Sequence, residues 1–451
     1  MLDLARKAAT TGGSTPVTTR VLLGYGLAKV VPGVLTLASV SVWVHAVGAA
    51  EYAKFSLIWV FALVSSALCV GWVSQPTVRS AGHPTQSLGR VPRGPLLGTI
   101  ALPALPVAAG VLLTSAGDPP AHTTALLVTA VLFCTMTGAY SLAAARTQRE
   151  QRSTRFALAE TVRVVGGLVA SVGLLYVAPG APAILAGNVL GTGFGMVILL
   201  GSDTPRIFSA RPTSREVLRT YWRYGWPMAL WSAASLSLVY MDRYIIASVM
   251  GNASAGWYAA IADMIVRGMG MLGMPITVAA YAAVMREWNS GRFHQARAVL
   301  ASTTRMLAAV LSACVAGAAL LGPWVVDRLV PGQPPPRGLI IVLSLGAALW
   351  QFALMGHKKL EIAGRSRLML GLLVAAVALT AGLEVVLVRL AGQTGAATAL
   401  TVGAGCYTAA CLLIGPRVLA HHIPDEARPQ ARPTREESHP PAQEMTGGIT
   451  R

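Results

Sequence analysis

The stretch "YWRYGWPMALWSAASLSLVYMDRYIIASVMGNASAGWYAAIADMIVRGMGMLGMP", residues 221–275, decides the fold. From Pro227 to Met241 it carries no charged side chain, and from Tyr244 to Met250 again none. The small-residue turn "GNASAG" at 251–256 then leads into a second apolar run. About 20 apolar residues suffice to cross a bilayer, so the stretch reads as two membrane helices joined by a tight hairpin. Beyond Arg223 at its start, four charges interrupt it: Asp242, Arg243, Asp263 and Arg267. A charge in hydrocarbon costs roughly 2.5–3.5 kcal/mol on insertion scales, so each of these must meet a partner or an aqueous cavity.

The same pattern extends through the chain. Of its 451 residues 54% are hydrophobic and only 12% charged, about half the charge of a soluble domain. Apolar runs recur near 21–47, 53–78, 95–116, 121–145, 157–178, 181–201, 224–250, 255–285, 305–329, 338–360, 368–390 and 395–417. The fold expected is all-α and integral to the membrane, with about 12 transmembrane helices. The first twenty residues are polar and basic, and the apolar stretch after them is too long for the core of a cleavable signal.

The net charge of +18 follows the same alternation. Of 36 Lys and Arg, 28 fall at one face of these spans, 4 at the other and 4 inside helices. One rich loop holds Arg146, Arg149, Arg152 and Arg155, whereas the poor face holds only Lys54, Arg328, Arg337 and Arg389. An excess of Lys and Arg marks cytoplasmic loops, so both termini are expected in the cytoplasm of a cell-membrane protein. The basic charge then sets orientation and meets anionic lipid; it is not a nucleic-acid footprint. Cys69, Cys134, Cys314, Cys406 and Cys411 all lie in apolar spans, without CxxC or histidine spacing, so neither zinc nor a disulfide framework is expected. No cofactor motif occurs, and without a Walker sequence ATP is not the direct energy source.

Two halves are discernible. Span one opens with Tyr25-Gly26 and turns through "VGAAEYAKF"; span seven opens with Tyr224-Gly225 and turns through "GNASAGWYAA". Six spans separate them, so the halves form a parallel repeat about an axis along the membrane normal. The expected division is a cytoplasmic segment 1–20, a first lobe 21–201, a linker 202–222, a second lobe 223–420 and a tail 421–451. That tail, rich in Pro, Arg and Glu, is expected to be disordered.

On these residues the chain resembles the polysaccharide-export, O-antigen flippase-like branch of the multidrug/oligosaccharidyl-lipid/polysaccharide flippase superfamily. The resemblance rests on the Tyr-Gly-x-Pro entry at 224–227, Asp242-Arg243 near the outer end, and the small residues before Tyr258-Ala259. "YGLAKVVPGVL" with "GAAEYAKFSL" is similar to that family's first two helices. It implies two six-helix lobes around a central cavity and movement of a lipid-linked oligosaccharide from inner to outer leaflet. The lipid carrier would be undecaprenyl diphosphate, and polysaccharide polymerase machinery would be a partner.

The candidate cavity cations are Arg267, Arg243 and Lys29, since a guanidinium fork suits diphosphate oxygens. Arg267 lies near the bilayer centre, one turn after Asp263. Arg243 and Asp263 lie at equal distances from a hairpin tip near residue 253, hence at similar depth. Two arrangements satisfy these charges: a buried network of Asp242, Arg243, Asp263 and Arg267, or arginines lining the cavity, with Arg267 the one meeting substrate and Arg243 bracing the hairpin. Glu160 and Arg163, three residues apart, are expected to pair locally. Pro32, Gly33, Gly273 and Pro275 are candidate hinges.

Three other functions are weighed against this one. A cation-coupled drug extruder of the same superfamily would use a cavity carboxylate; span one offers none, while Asp242, Asp263 and Glu384 remain in the second half. A peptidoglycan-precursor flippase would bring two further helices beyond residue 421. A membrane glycan polymerase would carry catalytic residues in sizeable outer loops, and the loops here are short.

Overall fold

The computed structural model describes residues 19–79, 98–115, 118–150, 152–201, 215–330, 332 and 335–420, with the side chains of 19–31 left aside. The expected N-terminal segment (nearly all of it), most of the inter-lobe linker and the tail at 421–451 lie outside the described residues.

Every described element is helical. In chain order these are α1 (Thr19–Arg79), α2 (Ala104–Thr114), α3 (Pro120–Arg149), α4 (Ser153–Val177), α5 (Ala181–Leu200), α6 (Arg215–Tyr240), α7 (Asp242–Met250), α8 (Asn252–Asn289), α9 (Phe293–Leu329), α10 (Arg337–Gly356), α11 (Lys358–Ile362) and α12 (Ser366–Ala420). Among the described residues, eight helices are long and apolar enough to cross a membrane, and a shorter apolar helix covers Gly98–Leu112.

Two of the long helices double back. In α1 the Trp43 and Phe55 rings lie 5.2 Å apart, whereas a straight helix would separate these residues by about 18 Å. The reversal is at Gly48, with φ 76° and ψ 168°. In α12 the chain reverses at Gly392, which brings Gly395 against the Leu387 carbonyl and Gly403 against Thr380. With α6 and α7 forming one nearly continuous crossing, the described helices make twelve crossings, as the hydropathy pattern predicts.

The turn between α7 and α8 is centred on Gly251, with φ 85° and ψ 168°. It precedes the expected tip near 253 because the only residue there needing a left-handed backbone is the glycine. Gly48 and Gly251 thus share one conformation at equivalent points of the two halves. The face carrying these turns is termed the hairpin face, and the opposite one, with Arg146, Arg149 and Arg152, the basic face.

Packing joins the halves chiefly at the hairpin face. The largest apolar core combines Val40, Trp43 and Phe55 of the first half with Ile246, Tyr258 and Leu339 of the second. Nearer the basic face the cores separate. One around Tyr140, Phe156 and Leu199 belongs to the first half, and one around Leu307, Trp350 and Tyr407 to the second. The seam between α1 and α6 alone continues down to Val73 and Tyr221. Exposed large side chains such as Leu105, Val169, Val197, Leu320 and Leu390 leave apolar surface of the kind that acyl chains cover.

The approach of the halves at the hairpin face is close. A Cβ on Gly256 of α8 would fall 1.7 Å from the Ala49 carbonyl oxygen and 2.6 Å from its carbon. Backbone cannot rotate out of the way, so Gly256→Ala is expected to cost about 1–3 kcal/mol, the range for overpacking. A lowered melting temperature of the purified protein would register it; an unchanged one would mean that the halves do not meet there. At the basic face, the Arg292 guanidinium bonds Glu287 at 2.6 Å and holds that carboxyl below the usual carboxylate range. Being exposed, this pair contributes little to stability.

Candidate functional site: a charge cluster between the halves

The cluster forms where α6 gives way to α7. Met241 makes one tight turn, and Asp242 restarts the helix, its Oδ1 accepting the Arg243 backbone N–H at 2.8 Å. An aspartate in the first turn of a helix offsets the partial positive charge of the free N–H groups. Its other oxygen accepts the Tyr258 hydroxyl of α8 at 2.7 Å. Asp242 is 2% exposed.

Arg243, 1% exposed, is among the largest fully buried side chains. Its Nη2 donates to Asp263 Oδ1 at 2.6 Å, its Nη1 donates to Ser56 Oγ, and its guanidinium lies 4.7 Å from the Tyr240 ring centre. Arg243 and Asp263 thus meet across the α7–α8 hairpin, although they lie eight and twelve residues from its turn at Gly251 and not at the equal distances expected from the sequence. Having no exposed surface, Arg243 takes the bracing position rather than one open to a cavity.

Asp263 Oδ2 has two donors. The Tyr52 hydroxyl of α1 lies at 2.8 Å, and Arg267 Nη2 at 3.3 Å. Arg267 is therefore held less tightly than Arg243, and its side chain is 15% exposed. Its guanidinium also stands 4.8 Å from the Trp59 ring centre, and Trp59 meets Tyr240 edge-on at 5.8 Å. Such a cation–aromatic contact is worth roughly 0.5–2 kcal/mol. Of the four charges only Arg267 combines a loose ion pair with accessible surface.

The first half supplies more of this cluster than its own charges predict. Tyr52, Ser56 and Trp59 stand on one stripe of α1, spaced by three or four residues so that they share a helix face. Tyr244 adds a crossing bond to the Leu57 carbonyl at 2.6 Å. A signal for two of the missed partners was present: the Tyr-Ala pair that marks helix re-entry in each half. Tyr52 and Tyr258 are those tyrosines, and each hydroxyl holds one aspartate.

The other sequence candidates lie apart. Glu160 and Arg163 pair at 2.8 Å within α4, with the Tyr140 hydroxyl on the second Glu160 oxygen at 2.9 Å. Lys29 lies in α1, its side chain outside the described residues. Pro32 and Gly33 sit within the first arm of α1, Gly33 against Met271 of α8. Gly273 packs on the Gln351 side chain, and α8 runs unbroken through Pro275. Glu384 of α12 is fully buried, and neither of its carboxyl oxygens has a hydrogen-bond partner among the described residues. The cysteines form no disulfide, and no group of metal-ligating side chains occurs among the described residues.

The fold is shared with solved transporters. A MATE protein crystallised in complex with MaD3S is 15% identical, with a TM-score of 0.66 over 89% of this chain and 95% of that one. A transporter of the multidrug/oligosaccharidyl-lipid/polysaccharide superfamily from Pyrococcus furiosus is 14% identical, with a TM-score of 0.68 over the same shares. A multidrug resistance MATE transporter in an inward-facing conformation is 16% identical, with a TM-score of 0.62 over 93% and 98%. At these identities the likeness concerns the fold. No curated protein matches the sequence. The family described as "Polysaccharide biosynthesis protein" matches residues 96–333, more than half of the chain and including the α6–α8 stretch that carries the charge cluster. The chain is a multi-pass membrane protein of the polysaccharide biosynthesis family, built on the fold of that transporter superfamily.

Proposed function

We propose that the protein moves a lipid-linked oligosaccharide, carried on undecaprenyl diphosphate, from the inner to the outer leaflet for export of a cell-surface polysaccharide. The observation that carries this reading is Arg267: a membrane-embedded guanidinium between the halves, loosely paired and in part accessible. Intramembrane cations are costly and face one another or a polar pathway, and a planar fork of donors suits the oxygens of a diphosphate. The two lobes, 21–201 and 223–420, rock about the α1–α6 and α1–α8 seams, so that the headgroup crosses between them while the lipid tail stays in the bilayer. The basic face is cytoplasmic, the protein resides in the cell membrane, and the polymerase machinery receives the product. The reaction is transport without bond chemistry.

Vesicles containing only this protein test the reading. Loaded with a lipid-linked glycan in the inner leaflet, they are expected to expose it outside at a rate set by the amount of protein. Equal rates in protein-free vesicles would sink the proposal.

A second reading, cation-coupled extrusion of organic cations, draws on one observation: the buried Glu384 carboxyl without a hydrogen-bond partner. The same vesicles distinguish the two, because an extruder would transport an organic cation and leave the glycan lipid in place.

A further inference from the structure

Two donors converge on a single atom in the charge cluster, and they come from different halves. Asp263 Oδ1 is taken by Arg243 at 2.6 Å. Asp263 Oδ2 is taken by the Tyr52 hydroxyl at 2.8 Å, leaving Arg267 of its own helix at 3.3 Å from the same oxygen. Arg267 and Asp263 are four residues apart on α8 and stay together in any rigid motion of the second half. Tyr52 stands four residues past the Gly48 turn and moves with the first half.

We infer that Tyr52 is a positioning residue that sets the anion affinity of Arg267 according to whether the halves are closed at the hairpin face. This rests on the reading of Arg267 as the group that meets the diphosphate. In the closed arrangement Tyr52 satisfies Asp263 Oδ2 and holds the Arg267 ion pair long, while the Trp59 ring supports the guanidinium at 4.8 Å. The guanidinium then has donors to spare for substrate oxygens. Opening at the hairpin face draws Tyr52 and Trp59 away together. Asp263 Oδ2 is left with Arg267 alone, the pair shortens, and the carboxylate replaces the diphosphate on the guanidinium. The substrate is thus gripped while the outer side is shut and dropped as it opens. One hydroxyl supplies that difference in affinity, without any further charge.

Ser56 provides the control. It also reaches the cluster from α1, but it bonds Arg243 and not Arg267. A general loosening of the seam would affect Ser56→Ala and Tyr52→Phe alike, whereas the inference separates them.

The experiment is binding of undecaprenyl diphosphate to the full-length protein in nanodiscs, with melting temperature measured alongside. Tyr52→Phe is expected to weaken binding about tenfold, the scale of one hydrogen bond to a charged group. Ser56→Ala, which loses a bond to Arg243 and not to Asp263 or Arg267, is expected to weaken it markedly less than Tyr52→Phe does. Undiminished binding by Tyr52→Phe while Arg267→Ala loses it would overturn the inference and leave the transport reading standing. Undiminished binding by Arg267→Ala would remove the reading beneath it. Equal weakening by Tyr52→Phe and Ser56→Ala would assign Tyr52 to general stability and overturn the inference as well. Should Tyr52→Phe fail to accumulate, Tyr52→3-fluorotyrosine, a stronger donor of nearly the same size, decides: tighter binding supports the inference, and equal or weaker binding overturns it.

Discussion

Asp263→Ala is expected to destabilise the protein by about 3–5 kcal/mol, because it leaves the Arg243 guanidinium buried without its hydrogen-bonded counter-charge. Arg243 is 1% exposed and Asp263 likewise, so no solvent reaches the pair to soften the loss. The remaining acid cannot replace it: the Arg243 Nε lies 4.0 Å from Asp242 Oδ1, which already accepts a backbone N–H. The Tyr52 hydroxyl loses its acceptor in the same step. The measurement is the yield and melting temperature of the purified variant. A double replacement, Arg243→Met with Asp263→Leu, removes both charges and substitutes apolar groups of related volume. It is expected to recover most of the loss, since exchanging a buried pair for packed apolar side chains is often neutral or stabilising. Recovery of stability without recovery of transport would separate what the pair does for the fold from what it does for function.

Arg267→Ala is expected to have the opposite profile: near-normal accumulation and melting temperature, with transport of a lipid-linked glycan abolished. Its ion pair is long, at 3.3 Å, and Asp263 keeps Arg243 and Tyr52 when Arg267 is removed. Little of the fold depends on it beyond the contact with Trp59. Arg267→Lys preserves the charge but not the planar fork and is expected to be intermediate, because a point charge does not match the geometry of paired phosphate oxygens. Transfer in the reconstituted vesicles is the readout. Normal transport by Arg267→Ala would place the substrate elsewhere, and failure to accumulate would assign Arg267 to the buried network with Arg243.

The contrast between the two arginines was legible in the sequence only in part. Residue counts from an expected tip near 253 put Arg243 and Asp263 at one depth. The turn lies at Gly251, eight residues from one and twelve from the other, so their contact was decided by packing and the reach of the Arg243 side chain. Four-residue spacing put Asp263 and Arg267 on one face, which follows from helix geometry. Counting along a helix cannot say which residues of another helix face it, because azimuth, tilt and offset are set by packing. The α7–α8 hairpin meets the first hairpin out of step, with Gly256, five residues past its turn, lying against Ala49, one residue past the other turn. That offset carries the Tyr52 side chain down to Asp263. No pattern within either segment encodes it.

What the sequence by itself determined is the part governed by short-range chemistry and by the bilayer. Apolar length defined the twelve crossings, small-residue stretches the two hairpins whose turns the structure places at Gly48 and Gly251, and loop charge the expected orientation. The repeated Tyr-Ala marked both re-entries as well. The tertiary structure alone decided the ownership of each charge: Arg243 sealed with Asp263 and Ser56, Arg267 left partly free over Trp59, and Tyr52 placed on the oxygen between them. The physical reason is one of range. Hydropathy and helix periodicity act over a few turns, while the Tyr52–Asp263 bond joins residues 211 positions apart, through a seam that exists only once both halves have packed.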